Sequence, residues 1–517
     1  MTLRYACTGE RLPCLSMPAR PMSRRRPLGG RVARRTALFL ATSALLAAPV
    51  RADDVPPNLV LISLDNLGAR HVGAYGYERD TTPFLDDLAA DGVLFEEVVA
   101  QDSWTLPSHA SLLTSRYVGA HGVWNLEQKL PAEPTLLPEA LGAAGYRTAG
   151  FTTCVFLSKH FGFERGLDHL VSKQVSAETM IPRILKYVDG LAGGPGAAAS
   201  DEPFFLFLHF YDVHDPFEEP NPYGEDFTEG LSAGEIETAQ KVMDMAGRTV
   251  GSLTEEEIAW LAGLLPEWDV SAMIDAQDPE EPIGDWVTRP VRQILLNAGP
   301  EAFAHRLAAY DNGVAHMDHQ LAGLFAEFAR RPWFEDTVFV ITSDHGESFN
   351  ERPGLIGHGG PPYREQVHVP LIVSGAGVPA GVRVAEPVAG IDVAPTLLDL
   401  ADIGRPEDFQ GRSLVPAFND SFRARAVLTG SGASGRVALV DDGYKLLKSR
   451  EQPMKLFTLQ PEGDDLAGEQ PDVVSRLGAV LERAVLQHQR MASELTVPRV
   501  DLDEKTAAIL KQLGYLD

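Results

Sequence analysis

Three apolar runs in this chain end in side chains that could bind a metal. Asn58–Leu64 (NLVLISL) is followed at once by Asp65 and Asn66. Phe204–Phe210 (FFLFLHF) leads to Asp212 and His214, and Thr337–Ser343 (TVFVITS) to Asp344 and His345. Such runs read as strands buried on both faces. In an open α/β sheet, ligands bind beyond the carboxyl ends of the strands. One aspartate after a strand commonly makes a turn; three such ends at one sheet edge point to a metal site. The ligand set is then Asp65, Asp344, His345 and one more oxygen. Imidazole beside carboxylate favours Mn²⁺ or Zn²⁺, while a carbonyl oxygen from Asn66 keeps Ca²⁺ admissible.

The fourth oxygen is where the chemistry is expected. Trp104–Thr114 (WTLPSHASLLT) reads as a loop entering a helix, with Pro107 in the first turn. Thr105 lies at that helix start, where the helix dipole favours negative charge. A metal on the same oxygen would lower its pKa further and make it a nucleophile. Judged on local sequence alone, the better reading of Thr105 is a helix N-cap.

The elements that must position these residues alternate. Helical patterns at Thr82–Asp91, Leu136–Ala144 and Glu301–Phe328 interleave with apolar strands, among them Tyr146–Thr152 and Val369–Ser374. This predicts an α/β fold, a large mostly parallel sheet sandwiched by helices. Residues of about 220–300 break the rhythm; acidic and punctuated by Pro and Gly, they read as an insertion, a lid over the sheet edge. Beyond about Pro416 a hairpin is expected at Val437–Lys448, turning at Asp442-Gly443. A third strand at Lys455–Leu459 and helices at Val473–His488 and Glu504–Leu513 complete a small C-terminal α+β subdomain. The plan is a leader over 1–52, a catalytic domain over 58–415 and a C-terminal subdomain over 416–517.

The formal net charge is -27. The first 52 residues carry ten Arg and one Glu, which leaves 35 basic against 71 acidic side chains in the remainder. A surface of that sign argues against nucleic acid as a partner. The leader shows a basic block (SRRRPLGGRVARR), an apolar run from Ala37 to Ala48 and a small-x-small site at Val50-Arg51-Ala52. That order is a secretory signal peptide, which predicts a periplasmic or secreted protein with no stable membrane span after processing. Of the three cysteines, Cys7 and Cys14 lie in the leader, so Cys154 would remain unpaired after cleavage.

Taken together, NLVLISLDNLGARHVGAYGY, TTPFLDDLAADGVLFEE, TLPSHASLLTSR, FLHFYDVHDPF, VFVITSDHGE and IDVAPTLLDLADI resemble the sulfatase family of the alkaline phosphatase superfamily in order and spacing. The resemblance implies an alkaline phosphatase-like fold and one divalent metal. It places Asp65 at the family's first metal aspartate and Asn66 where a second aspartate is usual. Thr105 falls at the nucleophile, where sulfatases carry Cys or Ser that is oxidised to formylglycine. His109 replaces an Arg of that block, and Arg116 matches the Arg that ends it. Asp344 and His345 match the metal pair in the Asp-His form of phosphonate monoester hydrolases and lipoteichoic acid synthases. His214 and His358 match substrate-contacting histidines. One departure stands out. After Gly145-Tyr146-Arg147-Thr148-Ala149 the family's usual G-K-W-H block is missing.

The function this implies is metal-dependent hydrolysis of sulfate or phosphate/phosphonate esters through a metal-bound Thr105, with the phosphoester favoured. The substrate would be a small-molecule, glycan or lipid ester. A sulfuric ester hydrolase and a non-catalytic binding relative are the alternatives.

Overall fold

The structure, a computed structural model, describes residues 56–512 apart from 199, 201, 216, 218–219, 224–226, 229–251, 265–299, 353–354, 420, 432–434 and 451. The expected leader and most of the expected insertion therefore lie outside the described residues.

The main sheet has eight strands. They are β1 (Asn58–Leu64), β2 (Val93–Phe95), β3 (Arg147–Thr152), β4 (His169–Ser172), β5 (Phe204–Phe210), β6 (Thr337–Ser343), β7 (Leu371–Gly375) and β8 (Val382–Val384). Their order across the sheet is β8-β2-β7-β6-β1-β5-β3-β4. β1 pairs in parallel with both β5 and β6, and β3 pairs in parallel with β5 and β4. β7 runs against both of its neighbours. The sheet is thus mixed but mostly parallel. β1, β5 and β6 are buried along their whole length, which is why their sequences are continuously apolar rather than alternating.

Helices cover both faces. The structure contains α1 (Thr105–Thr114), α2 (Ala177–Ala192), α3 (Pro300–Phe328) and α4 (Pro471–Ser493). One core packs α1 against β1 and β5, and it runs on without interruption into the C-terminal region through Leu439, Leu456 and Leu481. A second core, on the other face, holds α2 and α3. No helix among the described residues is long and apolar enough to cross a membrane.

The C-terminal region is a four-stranded antiparallel sheet, β9 (Val427–Ser431), β10 (Arg436–Asp441), β11 (Tyr444–Ser449) and β12 (Gln452–Thr458), covered by α4. The β10–β11 hairpin turns at Asp442 (φ 52°) and Gly443 (φ 77°), the doubly left-handed turn that an Asp-Gly pair favours. α4 rests on the main domain, where His488 stacks on Tyr117 with ring centroids 5.0 Å apart.

Candidate active site

Two parallel strands, side by side, deliver the first ligands. β1 ends at Leu64 and hands over Asp65 and Asn66; β6 ends opposite it, at Ser343, and hands over Asp344 and His345. Asn66 adopts a left-handed backbone (φ 64°), which asparagine tolerates better than most residues. That turn points the Asn66 N–H at Asp344 Oδ1, 3.1 Å away. Asp65, Asp344 and His345 are buried and offer ligand atoms within 4.8 Å of one another.

Thr105 comes from the other side, as the first residue of α1. Trp104 takes the N-cap position and makes no side-chain cap bond. The Thr105 hydroxyl is therefore free of capping duty. It lies 3.4 Å from Asp65 Oδ2, to which it donates, and 3.3 Å from His345 Nε2. The turn before the helix is tied by Ser108, whose Oγ accepts from the Asp102 N–H at 3.1 Å and donates to the Asp102 carbonyl at 2.9 Å.

The electrostatics suit a cation. Burial, and then the Asp344 carboxylate, push the Asp65 carboxyl well above its usual range. Burial acts against the Asp344 charge too, but His345, His109 and His209 hold that carboxyl down to about 2. Two buried carboxylates are competing for one negative charge. Asp65 Oδ1, Asp344 Oδ2 and Asn66 Oδ1 are buried and have no hydrogen-bond partner among the described residues. Burial lowers His345 to about 4, so its imidazole is neutral and carries a lone pair. Its Nε2 lies 3.5 Å from Asp344 Oδ2 and 3.8 Å from Asp65 Oδ1. Orphaned carboxylate oxygens around a neutral imidazole are what a divalent metal requires. These residues fit the ion.

A second pair of histidines stands beside the first cluster. His214 Nε2 and His358 Nε2 are 3.3 Å apart, and the His358 ring stacks on His345 with centroids 4.6 Å apart. Burial and then His358 lower His214 to about 3. Burial opposes a charge on His358 as well, yet Glu347, at 3.2 Å from its Nδ1, raises it above the ordinary histidine value. His358 thus donates and His214 accepts.

The structure brings Asp65, Asn66, Thr105, Asp344, His345, His214 and His358 together. It leaves two expected residues out of contact with the Thr105 hydroxyl. His109, one turn along α1, places Nδ1 2.9 Å from the Thr105 carbonyl and Nε2 2.9 Å from Ser63 Oγ. Both ring nitrogens are engaged, so His109 positions the helix start and lies 3.5 Å from Asp344 Oδ2. Arg116 follows the far end of α1, about 15 Å along a helix of this length, and its guanidinium binds Asp408 at 3.1 Å. Asp212 after β5 accepts from the Ala177 N–H at the start of α2 at 2.8 Å, a structural task.

Sequence reasoning missed His209 and Glu347. His209 lies 3.1 Å from Asp65 Oδ2; its one signal was being the sole polar residue in FFLFLHF. Glu347 accepts from Asn66 Nδ2 at 2.7 Å as well as from His358. It lies two residues past His345 in the DHGE stretch, but nothing local says which way it points.

Residues 57–403 match the family profile described as Sulfatase. Arylsulfatase K of Bos taurus is 22% identical over 399 residues, covering 71% of this chain and 66% of the bovine protein, just under two thirds of its length. Delta 4,5-hexuronate-2-O-sulfatase of Bacteroides thetaiotaomicron is 25% identical over 397 residues, covering 72% of this chain and 74% of that one. Among solved structures, the phosphonate monoester hydrolase of Agrobacterium radiobacter superposes with a TM-score of 0.60 at 20% identity, over 84% of this chain and 96% of that one. The architecture is therefore the alkaline phosphatase-like one.

Proposed function

The chain belongs to the sulfatase family, and from that premise we propose that it hydrolyses sulfate or phosphate/phosphonate esters with Thr105 as nucleophile, phosphoesters being preferred. The observation that carries this reading is the Thr105 hydroxyl held between Asp65 Oδ2 and His345 Nε2 at 3.4 and 3.3 Å. A divalent ion held by Asp65, Asp344 and His345, with Asn66 Oδ1 available, would supply Lewis acidity at the ester and acidify the threonine hydroxyl.

The chain's own residues do the rest. Thr105 passes its hydroxyl proton to Asp65 Oδ2, the acceptor it already faces, as its Oγ attacks the central atom and the bond to the departing alcohol breaks. His358, the raised imidazole, gives its Nε2 proton to the leaving oxygen. Water then cleaves the Thr105 ester. A formylglycine hydrate can shed its sulfate by collapsing to the aldehyde, whereas threonine has no such exit. The second step must be a true hydrolysis, and phosphorus tolerates it.

The charge of the site supports the same preference. Among the described residues no Lys or Arg side chain lies within hydrogen-bond reach of Asp65, Thr105, Asp344, His345, His214 or His358. Of these imidazoles His358 alone is raised above its ordinary value, and one such cation suits a monoanionic diester better than a dianionic group. The sulfuric ester reading is supported by the relatives named as sulfatases. The deciding measurement is kcat/KM on matched aryl phosphodiester and aryl sulfate substrates. We expect the diester to win, and a clear sulfate preference would reverse the assignment.

The leader carries a proposal of export, periplasmic or secreted. Mature protein is expected to begin after Ala52, and N-terminal sequencing that finds Arg34-Arg35 retained would end it.

A further inference from the structure

Glu347 and His358, the pair beside the metal cluster, come from the two arms of one small hairpin. Ser348–Phe349 pairs antiparallel with Ile356–Gly357, Ser348 opposite Gly357 and Phe349 opposite Ile356. Glu347 enters the first arm and His358 leaves the second. Two cross-strand pairs are too few to hold such a ladder by themselves. What fixes the two arms therefore fixes the distance from Glu347 to His358, 3.2 Å at Nδ1.

Gln366 does so from outside the hairpin. It lies in the short helix Arg364–Val367 and is fully buried. Its Nε2 donates to Ser348 Oγ at 3.0 Å on one arm and to the Gly357 carbonyl at 3.1 Å on the other. Its Oε1 accepts from the Gly360 N–H at 3.0 Å, and its backbone carbonyl accepts from the Gly346 N–H at 2.8 Å. The Gly357 carbonyl can only accept and the Gly360 N–H can only donate, so the amide has one orientation. Both of its N–H groups are spent on the hairpin. The fit is close: a Cβ on Gly360 would come 3.1 Å from Nε2 and 3.2 Å from Oε1. The same hydrogen-bond chain continues toward Thr105. The Gly359 N–H donates to the Ser103 carbonyl at 2.7 Å, and Ser103 Oγ donates to the Gly360 carbonyl at 2.8 Å. Ser103 stands two residues before Thr105.

We propose that Gln366 is a positioning residue for ester hydrolysis, a buried amide clamp that holds the Glu347 arm to the His358 arm and so aims His358 Nε2 at the leaving oxygen. This rests on the reading of His358 as the proton donor. The clamp acts on orientation. A general acid must lie within hydrogen-bond reach of the atom it protonates, and a displacement on the order of 1 Å can cost about 10²-fold in rate. Loosening the two arms turns the imidazole without removing it. Such a defect shows itself by substrate. A good leaving group departs unprotonated, whereas a poor one needs the proton.

The test measures kcat/KM of the full chain on two methyl aryl phosphodiesters, the nitrophenyl and the phenyl. Gln366→Met keeps nearly the same volume and removes the hydrogen bonds. It should lose about tenfold or more on the phenyl ester beyond any loss on the nitrophenyl ester. His358→Gln should show the same selectivity or a greater one. Gly375→Ala, which strains the end of β7 away from the site, should lower both esters alike. Should Gln366→Met melt early, Ser348→Ala removes one acceptor of the clamp and carries the same expectation. If His358→Gln is selective and the clamp variant loses equally on both esters, or on neither, the clamp is overturned and the acid reading stands. Equal loss on both esters in His358→Gln overturns the acid reading itself, and the proposal falls with it. The Glu347–His358 hydrogen bond adds a measurement that needs no substrate. Its imidazole N–H proton resonance, assigned by its absence from His358→Gln, should weaken or vanish in Gln366→Met. A resonance unchanged from wild type overturns the proposal as well.

Discussion

Thr105 has a different partner set from an ordinary helix-start threonine. A capping hydroxyl accepts from the backbone N–H groups of the first turn; this one faces a carboxylate and an imidazole from two other strands. Removing it should therefore cost catalysis far more than stability. Thr105→Ala is expected to lower kcat by roughly 10²-fold or more, as for loss of a covalent nucleophile, with a melting temperature close to wild type. Asp344→Asn tests the other half of the site. Its orphaned Oδ2 would become an amide group, so metal content by elemental analysis and turnover should fall together. Full activity in a protein stripped by chelator would remove the metal from the account. Local sequence did point to Asp65, Asp344, His345 and Thr105, because strand ends and helix starts are legible one element at a time. It could not separate Thr105 from an N-cap, since that distinction lies in contacts 40 and 240 residues away.

The elements hold the site because β1 and β6 pair in parallel and stop in step, Leu64 against Ser343. β7 braces β6 from the other side, antiparallel, and ends at Gly375. Gly375 has φ 101°, and a Cβ there would come 2.1 Å from the Thr337 carbonyl oxygen. Gly375→Ala should therefore destabilise the protein by about 2 kcal/mol or more, read as a lower denaturant midpoint, although the residue touches nothing in the site. A midpoint unchanged from wild type would show that this end of the strand is free to relax. Most long elements were legible: β1, β5 and β6 coincide with the expected runs, and α3 begins one residue before its expected start. The short strands were not. Val93–Phe95 and Val382–Val384 have three residues each, too few for periodicity to show. Val427–Ser431 was missed because it joins its sheet by pairing with β10 rather than by pattern. The antiparallel sense of β7 depends on its connection, which an apolar run does not reveal.

Across the whole molecule, buried neutral histidines tie stability to pH. His121 is fully buried, and its Nδ1 accepts from the Val123 N–H at 3.2 Å, so Nε2–H donates to Ser111 Oγ at 2.9 Å. Burial and then Arg116 lower it to about 3 from an ordinary 6.5. Between those values the unfolded chain takes up a proton that the folded chain refuses. The stability from this group is thus present above pH 6.5 and is lost as pH falls toward 3, by up to ~1.4 kcal/mol per pH unit. Unfolding midpoints measured from pH 7 to 5 should drop more steeply in wild type than in His121→Gln. Parallel slopes would show that His121 is protonated in the fold.

Sequence by itself determined the class of the fold and the kind of chemistry. Strands buried on both faces must be continuously apolar, and ligands at their ends must be polar, so both leave a mark along the chain. Tertiary structure alone decided who faces whom. It sent Arg116 to Asp408 at the far end of α1, turned His109 onto Ser63, and brought in His209 and Glu347 as partners of Asp65 and His358. Spacing along the chain records which face of one element is buried. It carries no record of which two distant faces meet, because that choice is made by the packing of whole elements.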